Sequence, residues 1–285
     1  MRSFKVLGPF FASLLAVLVL GLLQTSFSQT TQVSGRSSNV RDAPAVNVEV
    51  VVRSFTAKET EFRQALNNYA FKRDATVQTI GMGGEITGEY HRVSEFVFDD
   101  RGTRFEKITF FPAPTLTEIS VTQEDIEDLG GIQPFALEAS KIDQYNFNFM
   151  GTEHIDELDT YVFEVEPKVL PNPKKSKERF FQGRIWVDTR DLQIVKVRGK
   201  GVPEGDQRFA LFETYREQID GRYWFPTYTS ADDNLVFPKG QTVHVRMLVR
   251  YKDFQRFGSK VKITEIGEGE GPEATPSPTP QKPKP

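Results

Sequence analysis

Two consecutive β-hairpins within residues 178–228 constrain the fold of this chain more than any other feature. The first alternates apolar and polar side chains over residues 181–187 and returns after an Asp-rich turn at residues 188–191. The second runs from residue 209 to Asp220-Gly221, a dipeptide that supplies the positive φ angles of a two-residue turn. Both patterns predict an antiparallel meander with a well-specified register.

Further alternating segments extend this meander into a long sheet. Strands are predicted at residues 75–80, 88–98, 103–111, 144–151, 160–167 and 243–254, which with the two hairpins makes about ten strands. An antiparallel sheet of that size twists and tends to curl. We therefore predict a mainly β (α+β) fold, in which a curled antiparallel sheet forms an unclosed β-barrel with a helix in or over its mouth.

An amphipathic helix is predicted over residues 56–72. Thr56 and Glu59 have the spacing of a capping box, and Phe55 occupies the position of a hydrophobic staple. The apolar residues at helical spacing are Phe62, Ala65, Leu66, Tyr69 and Ala70. Because one stripe of this helix must be covered, we expect it to lie in the concavity of the sheet.

The N-terminal residues have the layout of a secretory signal. Arg2 and Lys5 precede an apolar run at residues 6–23, and small residues follow, so we expect cleavage after Ser28. The alternative is an uncleaved membrane anchor, because 18 apolar residues reach the short end of spanning length. From this signal we expect a periplasmic protein, or one outside the cell if the organism has no outer membrane. Because the chain contains no cysteine, it must fold without disulfides.

The remaining boundaries follow from composition. Residues 29–47 are polar and are expected to be a flexible leader, 48–266 the folded domain, and 267–285 a disordered Pro-rich tail. Within the folded domain, Thr122 with Asp125 forms a second capping box. It predicts a short acidic helix inserted in the sheet.

The residue content argues against catalysis and against nucleic acid. A net charge of −3 gives no reason to expect a nucleic-acid partner. His91, His154 and His244 are far apart, lack zinc-site spacing and are expected to face solvent.

The acidic pairs Asp99-Asp100 and Asp232-Asp233 are expected in solvated turns. A hydrolase would therefore require two acidic residues from distant strands to converge in a pocket. We expect no enzyme activity, no metal and no cofactor.

The hairpin residues resemble those of a known class of exported proteins. These residues are Gly183, Ile185, Trp186, Val187, Asp188, Ile194 and Lys196, together with residues 220–226. They resemble the outer-membrane lipoprotein-sorting proteins with the LolA/LolB-like half-barrel fold, over residues 48–264. The resemblance implies an unclosed barrel whose apolar interior shelters acyl chains of a lipoprotein or lipid. The inserted segment at residues 122–138, the basic loop near Lys174 and the tail depart from the simple pattern.

Aromatic side chains of the hairpin at 144–151 and 160–167 are candidates to line such an interior. Alternation places five rings on one side of that hairpin, where they can face the predicted helix. The predicted ligand-binding residues are Phe62, Leu66, Tyr69, Tyr145, Phe147, Phe149, Tyr161 and Phe163. The alternative is that these side chains fill an ordinary core.

Two functions are consistent with this sequence. The first is a monomeric, non-catalytic carrier of acyl chains from a lipoprotein or lipid. The second is an envelope protein-binding scaffold or stress sensor that uses the same fold, with a membrane protein of the envelope as partner. A deep cavity favours the carrier, whereas an exposed groove without internal volume favours the scaffold.

Overall fold

The computed structural model describes residues 46–122, 125, 137–176, 178–205 and 207–258. Within these residues one antiparallel sheet of ten strands is accompanied by one long helix. The elements are helix α1 at Val48–Leu66, a short 3-10 helix at Ala139–Gln144, and strands β1 at Tyr69–Ile80, β2 at Ile86–Phe98, β3 at Arg104–Phe110, β4 at Tyr145–Ile155, β5 at Leu158–Pro167, β6 at Phe180–Asp188, β7 at Ile194–Val202, β8 at Phe212–Ile219, β9 at Tyr223–Val236 and β10 at Thr242–Arg256.

The sheet is curled and unclosed, as predicted. Its strand order is β3-β2-β1-β10-β9-β8-β7-β6-β5-β4, so the last strand returns to pair with the first. β3 and β4 occupy the two edges of the sheet. The predicted fold class is confirmed: the protein is mainly β, with an open antiparallel sheet.

Helix α1 covers part of the inner face of the sheet, but its predicted ends are wrong. It begins at Val48, where the Asn47 side chain accepts a hydrogen bond from the Val50 N–H at 3.2 Å. Thr56 lies inside the helix, and its hydroxyl donates to the Val52 carbonyl at 2.8 Å. Phe55, predicted as a staple before the helix, is a fully buried helical residue.

The chain changes from helix to strand earlier than the apolar spacing predicted. Tyr69, Phe71 and Arg73 are buried in alternation with half-exposed neighbours, which is the period of a strand. The Arg104 guanidinium donates to the carbonyls of Leu66 and Tyr69, beside the end of α1. A cation at this position complements the negative end of the helix dipole.

A buried ion pair connects α1 to the sheet. Arg216 on β8 donates to both carboxylate oxygens of Glu59, at 2.6 and 3.1 Å. The two side chains are only 7% and 3% exposed. The guanidinium also lies 4.8 Å from the centre of the Phe62 ring. The predicted capping residue Glu59 therefore makes a tertiary contact, 157 residues away in sequence.

The two hairpins form as predicted, and their turns have the expected geometry. Asp220 and Gly221 both have positive φ, at 54° and 65°. In the first hairpin, Gly183 pairs with Gly199 across β6 and β7. A Cβ on Gly199 would lie 2.4 Å from the Phe181 ring, so both glycines leave room for that fully buried side chain.

Several predicted segments lie outside the described residues. These are the signal at residues 1–28, nearly all of the leader at residues 29–47, the tail at residues 267–285 and most of the inserted segment at residues 122–138. Thr122 and Asp125 are described, and they make the reciprocal hydrogen bonds of a capping box, at 2.7 and 3.1 Å. No helix in the described part of the chain is long and apolar enough to cross a bilayer.

Candidate functional site

A cavity of about 740 Å³ lies on the inner face of the sheet, the same face that α1 covers further along. Its volume falls within the roughly 300–1,000 Å³ of small-molecule sites. Apolar atoms make up most of its lining. The cavity is therefore a candidate binding site for an apolar ligand.

The floor of the cavity consists of inward-facing strand residues. β1 contributes Val77, and β10 contributes Val245 and Met247, with Val77 and Met247 paired across the two strands. Phe212 and Thr229 come from β8 and β9. These residues share one side because alternate residues of neighbouring strands point to the same face. The buried Thr229 hydroxyl is hydrogen-bonded to the Thr214 hydroxyl at 2.8 Å, so this polar group of the floor is paired.

One wall is the chain segment at residues 118–122, which follows β3 and crosses the inner face. Its approach to the sheet depends on Gly88, where a Cβ would lie 2.9 Å from both the Leu116 Cα and the Thr115 carbonyl oxygen. Thr115 also exchanges hydrogen bonds with the Glu89 backbone at 2.9 Å. Asp125, just beyond the segment, is hydrogen-bonded to Gln207, which also lines the cavity.

We expect Gly88→Ala to lower the free energy of unfolding by about 1–3 kcal/mol, because its methyl group meets backbone atoms that must move. Urea unfolding followed by circular dichroism measures the change. Ile86→Ala, at an exposed residue two positions earlier, is the control and should change stability by less than about 0.5 kcal/mol. An unchanged midpoint for Gly88→Ala would contradict the close approach.

Two loops form the remaining walls. The loop at residues 207–210 precedes β8, and its continuation is tied to β9 where the Leu211 N–H donates to Asp233 at 2.9 Å. The β9–β10 loop contributes Phe237, Pro238 and Lys239, and it closes through a 2.8 Å hydrogen bond from the Phe237 N–H to the Gln241 carbonyl.

Among the residues that the structure describes, four charged ones border the cavity and balance in sign. Glu118 and Asp125 are acidic, whereas Arg208 and Lys239 are basic. Arg208 lies 3.9 Å from Glu204. The border therefore favours neither an anion nor a cation, and the apolar lining is the dominant feature of the site.

The eight residues predicted to bind ligand lie together, but not at this cavity. All eight belong to the core that packs α1 against the sheet. Phe149, for example, lies 5.5 Å from Phe163 between ring centres, and Phe147 lies 5.6 Å from the helical Phe55. None of the eight is among the residues lining the 740 Å³ cavity. Their ligand-binding role stays a prediction.

Two of the predicted tyrosines have hydroxyl groups that are engaged within the protein. Burial, together with a 3.0 Å hydrogen bond to Asp220, raises the pKa of Tyr69 to about 12. Burial likewise raises the pKa of Tyr145, whose oxygen accepts a hydrogen bond from the Phe181 N–H at 3.1 Å. Tyr145 and Phe147 also border a second, more polar cleft of about 440 Å³ beside the start of α1.

The three histidines lie apart from one another in the described part of the chain. Each histidine is hydrogen-bonded to one aspartate: His91 to Asp74 and His154 to Asp159, both at 2.9 Å, and His244 to Asp232. His154 faces solvent as predicted, whereas His91 and His244 are half-buried. Among the described residues, no group of three or more potential ligands could hold a metal ion.

The expected turn at Asp232-Asp233 is wrong, because both residues lie within β9. Asp232 pairs with Arg246 at 3.2 Å, while Asp233 accepts the hydrogen bond from Leu211. The pKa of Asp232 is lowered, first by its hydrogen bond to His244 and then by the one to Arg246. Asp99 does lie at a turn, where it accepts hydrogen bonds from the N–H groups of Arg101 and Thr103.

The fold and its cavity define a class of protein: an open, curled antiparallel sheet with an apolar site on its helix-covered face. No family model matches this chain, and no curated protein matches its sequence. Solved structures do match. The matches include a protein of the LolA superfamily.

Three solved structures are similar over about three quarters of this chain. A DUF1329 family protein from Desulfovibrio piger is 16% identical, with 74% of this chain and 94% of that chain covered and a TM-score of 0.35. A LolA superfamily protein from Nitrosomonas europaea is 14% identical, with 74% and 94% covered and a TM-score of 0.33. A domain assigned to outer membrane lipoprotein sorting from Vibrio parahaemolyticus is 10% identical, with 75% and 95% covered and a TM-score of 0.30. Similarity at this level assigns neither ligand nor activity to this chain.

Proposed function

We propose that this protein is an exported, non-catalytic carrier that binds an acyl chain of a lipid or lipoprotein in the 740 Å³ cavity. The observation that carries this proposal is the apolar lining of that cavity, which the sheet, the segment at residues 118–122 and two loops build together. Moving one methylene group out of water is favourable by about 0.8 kcal/mol. An acyl chain of roughly fourteen methylenes therefore gains on the order of 11 kcal/mol of free energy when it enters the cavity.

The proposal includes a cellular location and a domain organisation. Residues 1–28 would direct export to the periplasm, and residues 29–47 and 267–285 would flank the binding domain at residues 48–266. The proposed carrier acts as a monomer, and residues from several strands and loops of the same chain line its cavity.

The first test is native mass spectrometry of the protein purified from the periplasm of an expression host without detergent, followed by organic extraction. Phospholipid or acylated peptide at near one per chain is the expected result. A bare protein mass that does not change after incubation with lipid contradicts the carrier function.

We expect Leu235→Glu to reduce the bound lipid at least about tenfold, because a carboxylate in an apolar site costs several kcal/mol to desolvate. Leu235 on β9 lines the cavity. The matched control is Val236→Glu, because Val236 is the next residue along β9 and is 58% exposed. Extraction and quantification of lipid from both folded variants measures the effect, and equal lipid retention would contradict the assignment of the cavity.

A second function, protein binding, is favoured by one observation at the edge of the sheet. β3 is an edge strand whose Phe105 and Phe110 are each 48% exposed. An exposed apolar edge can pair with an extended segment of a partner protein. Capture of one defined envelope protein that is lost in Phe110→Lys, together with a lipid-free mass, would establish this function in place of the carrier.

A further inference from the structure

Two arginines share one carboxylate on the inner face of β1, β2 and β3. Glu106 accepts a hydrogen bond from Arg73 with one oxygen and pairs with Arg92 through the other, both at 2.8 Å. Arg73 is 6% exposed and Arg92 is 9% exposed. The three groups together carry one net positive charge, which is costly to bury in a protein interior.

The same face of β2 carries three polar atoms that lack a partner within the described residues. They are the Tyr90 hydroxyl, the Arg92 Nε and the Ser94 hydroxyl. Tyr90 is 3% exposed and Ser94 is fully buried. Alternation places these residues side by side, about 7 Å apart, in one row. A buried donor without an acceptor costs about 1–3 kcal/mol.

The chemistry of this row selects an anion. The Arg92 Nε can only donate, and the two hydroxyls can each donate one hydrogen bond. A phosphate or carboxylate accepts several hydrogen bonds and brings the negative charge that the two arginines favour. The Glu106 side chain remains 20% exposed, so the carboxylate that the two arginines share meets solvent at the β3 edge.

The row is adjacent to the cavity. Tyr90 on β2 pairs directly with Val77 on β1, and Val77 lines the cavity floor. Paired residues on neighbouring strands have Cβ atoms about 4.5–5.5 Å apart. An acyl chain bound in the cavity would therefore lie close to Tyr90, the first residue of the row.

We propose that Tyr90, Arg92 and Ser94, together with Arg73, bind an oxyanion, either a phosphate or a carboxylate. This inference deepens the proposed function and rests on it where the oxyanion is the head group of the acyl ligand. A free oxyanion is the alternative source of the same chemistry.

Calorimetric titration of the full protein with octyl phosphate, octyl glucoside and sodium phosphate tests the proposal, with both amphiphiles in their monomeric range. Wild-type protein should bind octyl phosphate at least about tenfold more tightly than the neutral octyl glucoside. Arg92→Gln should abolish this preference. Arg101→Gln, which removes an equal charge from the exposed turn after β2, should keep it.

Tyr90→Phe provides a variant that is expected to fold even if Arg92→Gln does not. Its hydroxyl has no partner among the described residues, so removal should leave the melting temperature of the ligand-free protein unchanged or higher. The affinity for octyl phosphate should nevertheless fall several-fold. A purely structural role of the row does not predict that loss.

The outcomes separate this inference from the proposed function. Tighter binding of octyl phosphate than of sodium phosphate identifies the oxyanion as a head group, and equal affinities identify a free anion. Equal affinities for sodium phosphate and octyl phosphate, without binding of octyl glucoside, support the row but contradict the carrier. The inference is overturned if wild type binds neither phosphate compound, or if Arg92→Gln or Tyr90→Phe folds and binds octyl phosphate as wild type does.

Discussion

Replacing Glu59 with alanine is expected to lower the free energy of unfolding by about 3–5 kcal/mol. The loss arises because Arg216, only 7% exposed, would keep its charge without the carboxylate that accepts two of its hydrogen bonds. This contact also holds α1 on the sheet, so the variant should lose both helix packing and stability. Urea unfolding followed by circular dichroism and tryptophan fluorescence measures the change.

Two further variants distinguish the effect of breaking the buried ion pair from the effect of removing an acidic residue elsewhere on α1. Glu49→Ala removes a carboxylate that is 74% exposed and pairs with Arg53 at 2.6 Å, and it should cost at most about 1 kcal/mol. Glu59→Leu combined with Arg216→Met replaces both charges with apolar groups and should recover most of the stability. A Glu59→Ala variant as stable as Glu49→Ala would show that α1 is not held by this pair.

The strands were predictable because each depends on a short-range pattern. The period-two alternation of β10 and the Asp220-Gly221 turn are both local signals, and the structure confirms them. Sequential strands are neighbours within β1–β3 and within β4–β10, so each of these two runs forms a meander, whereas no local pattern predicts that β1 pairs with β10. The curl of the sheet then follows from strand twist.

The boundaries of α1 were not predictable because the residues that resemble a helix start make other contacts in the fold. Thr56 and Glu59 fit a capping box, yet Thr56 bonds back to the preceding turn and Glu59 pairs with Arg216. The true N-cap, Asn47, lies at the end of a polar segment that gave no contrast with its surroundings. Tertiary contacts therefore determined the role of each residue, which spacing alone cannot show.

The candidate site was missed for a related reason. Residues that line it from loops, such as Ile119, Val121 and Phe237, have no periodic pattern that connects them to strands far away in sequence. The inward positions of β10 were predicted as buried, but nothing in the sequence indicates that loops cover them at a distance. The alternating aromatic residues of β4 and β5 gave a stronger signal in the sequence, but they belong to the packed core beneath α1.

Phe55→Ala is expected to cost about 3–5 kcal/mol, which is the range for removing a fully buried phenylalanine. The Phe55 ring lies 5.6 Å from both Phe147 and Phe163, so its removal leaves a cavity between α1 and the β4–β5 hairpin. The neighbouring rings cannot fill that space without leaving their own contacts. Thermal and urea unfolding of the variant measure the loss.

The same variant also tests where the ligand binds. Val50→Ala, at a residue of α1 that is 54% exposed, is the stability control and should change the free energy of unfolding by less than about 0.5 kcal/mol. If the cavity beneath residues 118–122 holds the acyl chain, folded Phe55→Ala protein should bind lipid with wild-type stoichiometry, because Phe55 does not line that cavity. Loss of lipid from the folded variant would instead place the ligand among the aromatic rings beneath α1, as the sequence predicted.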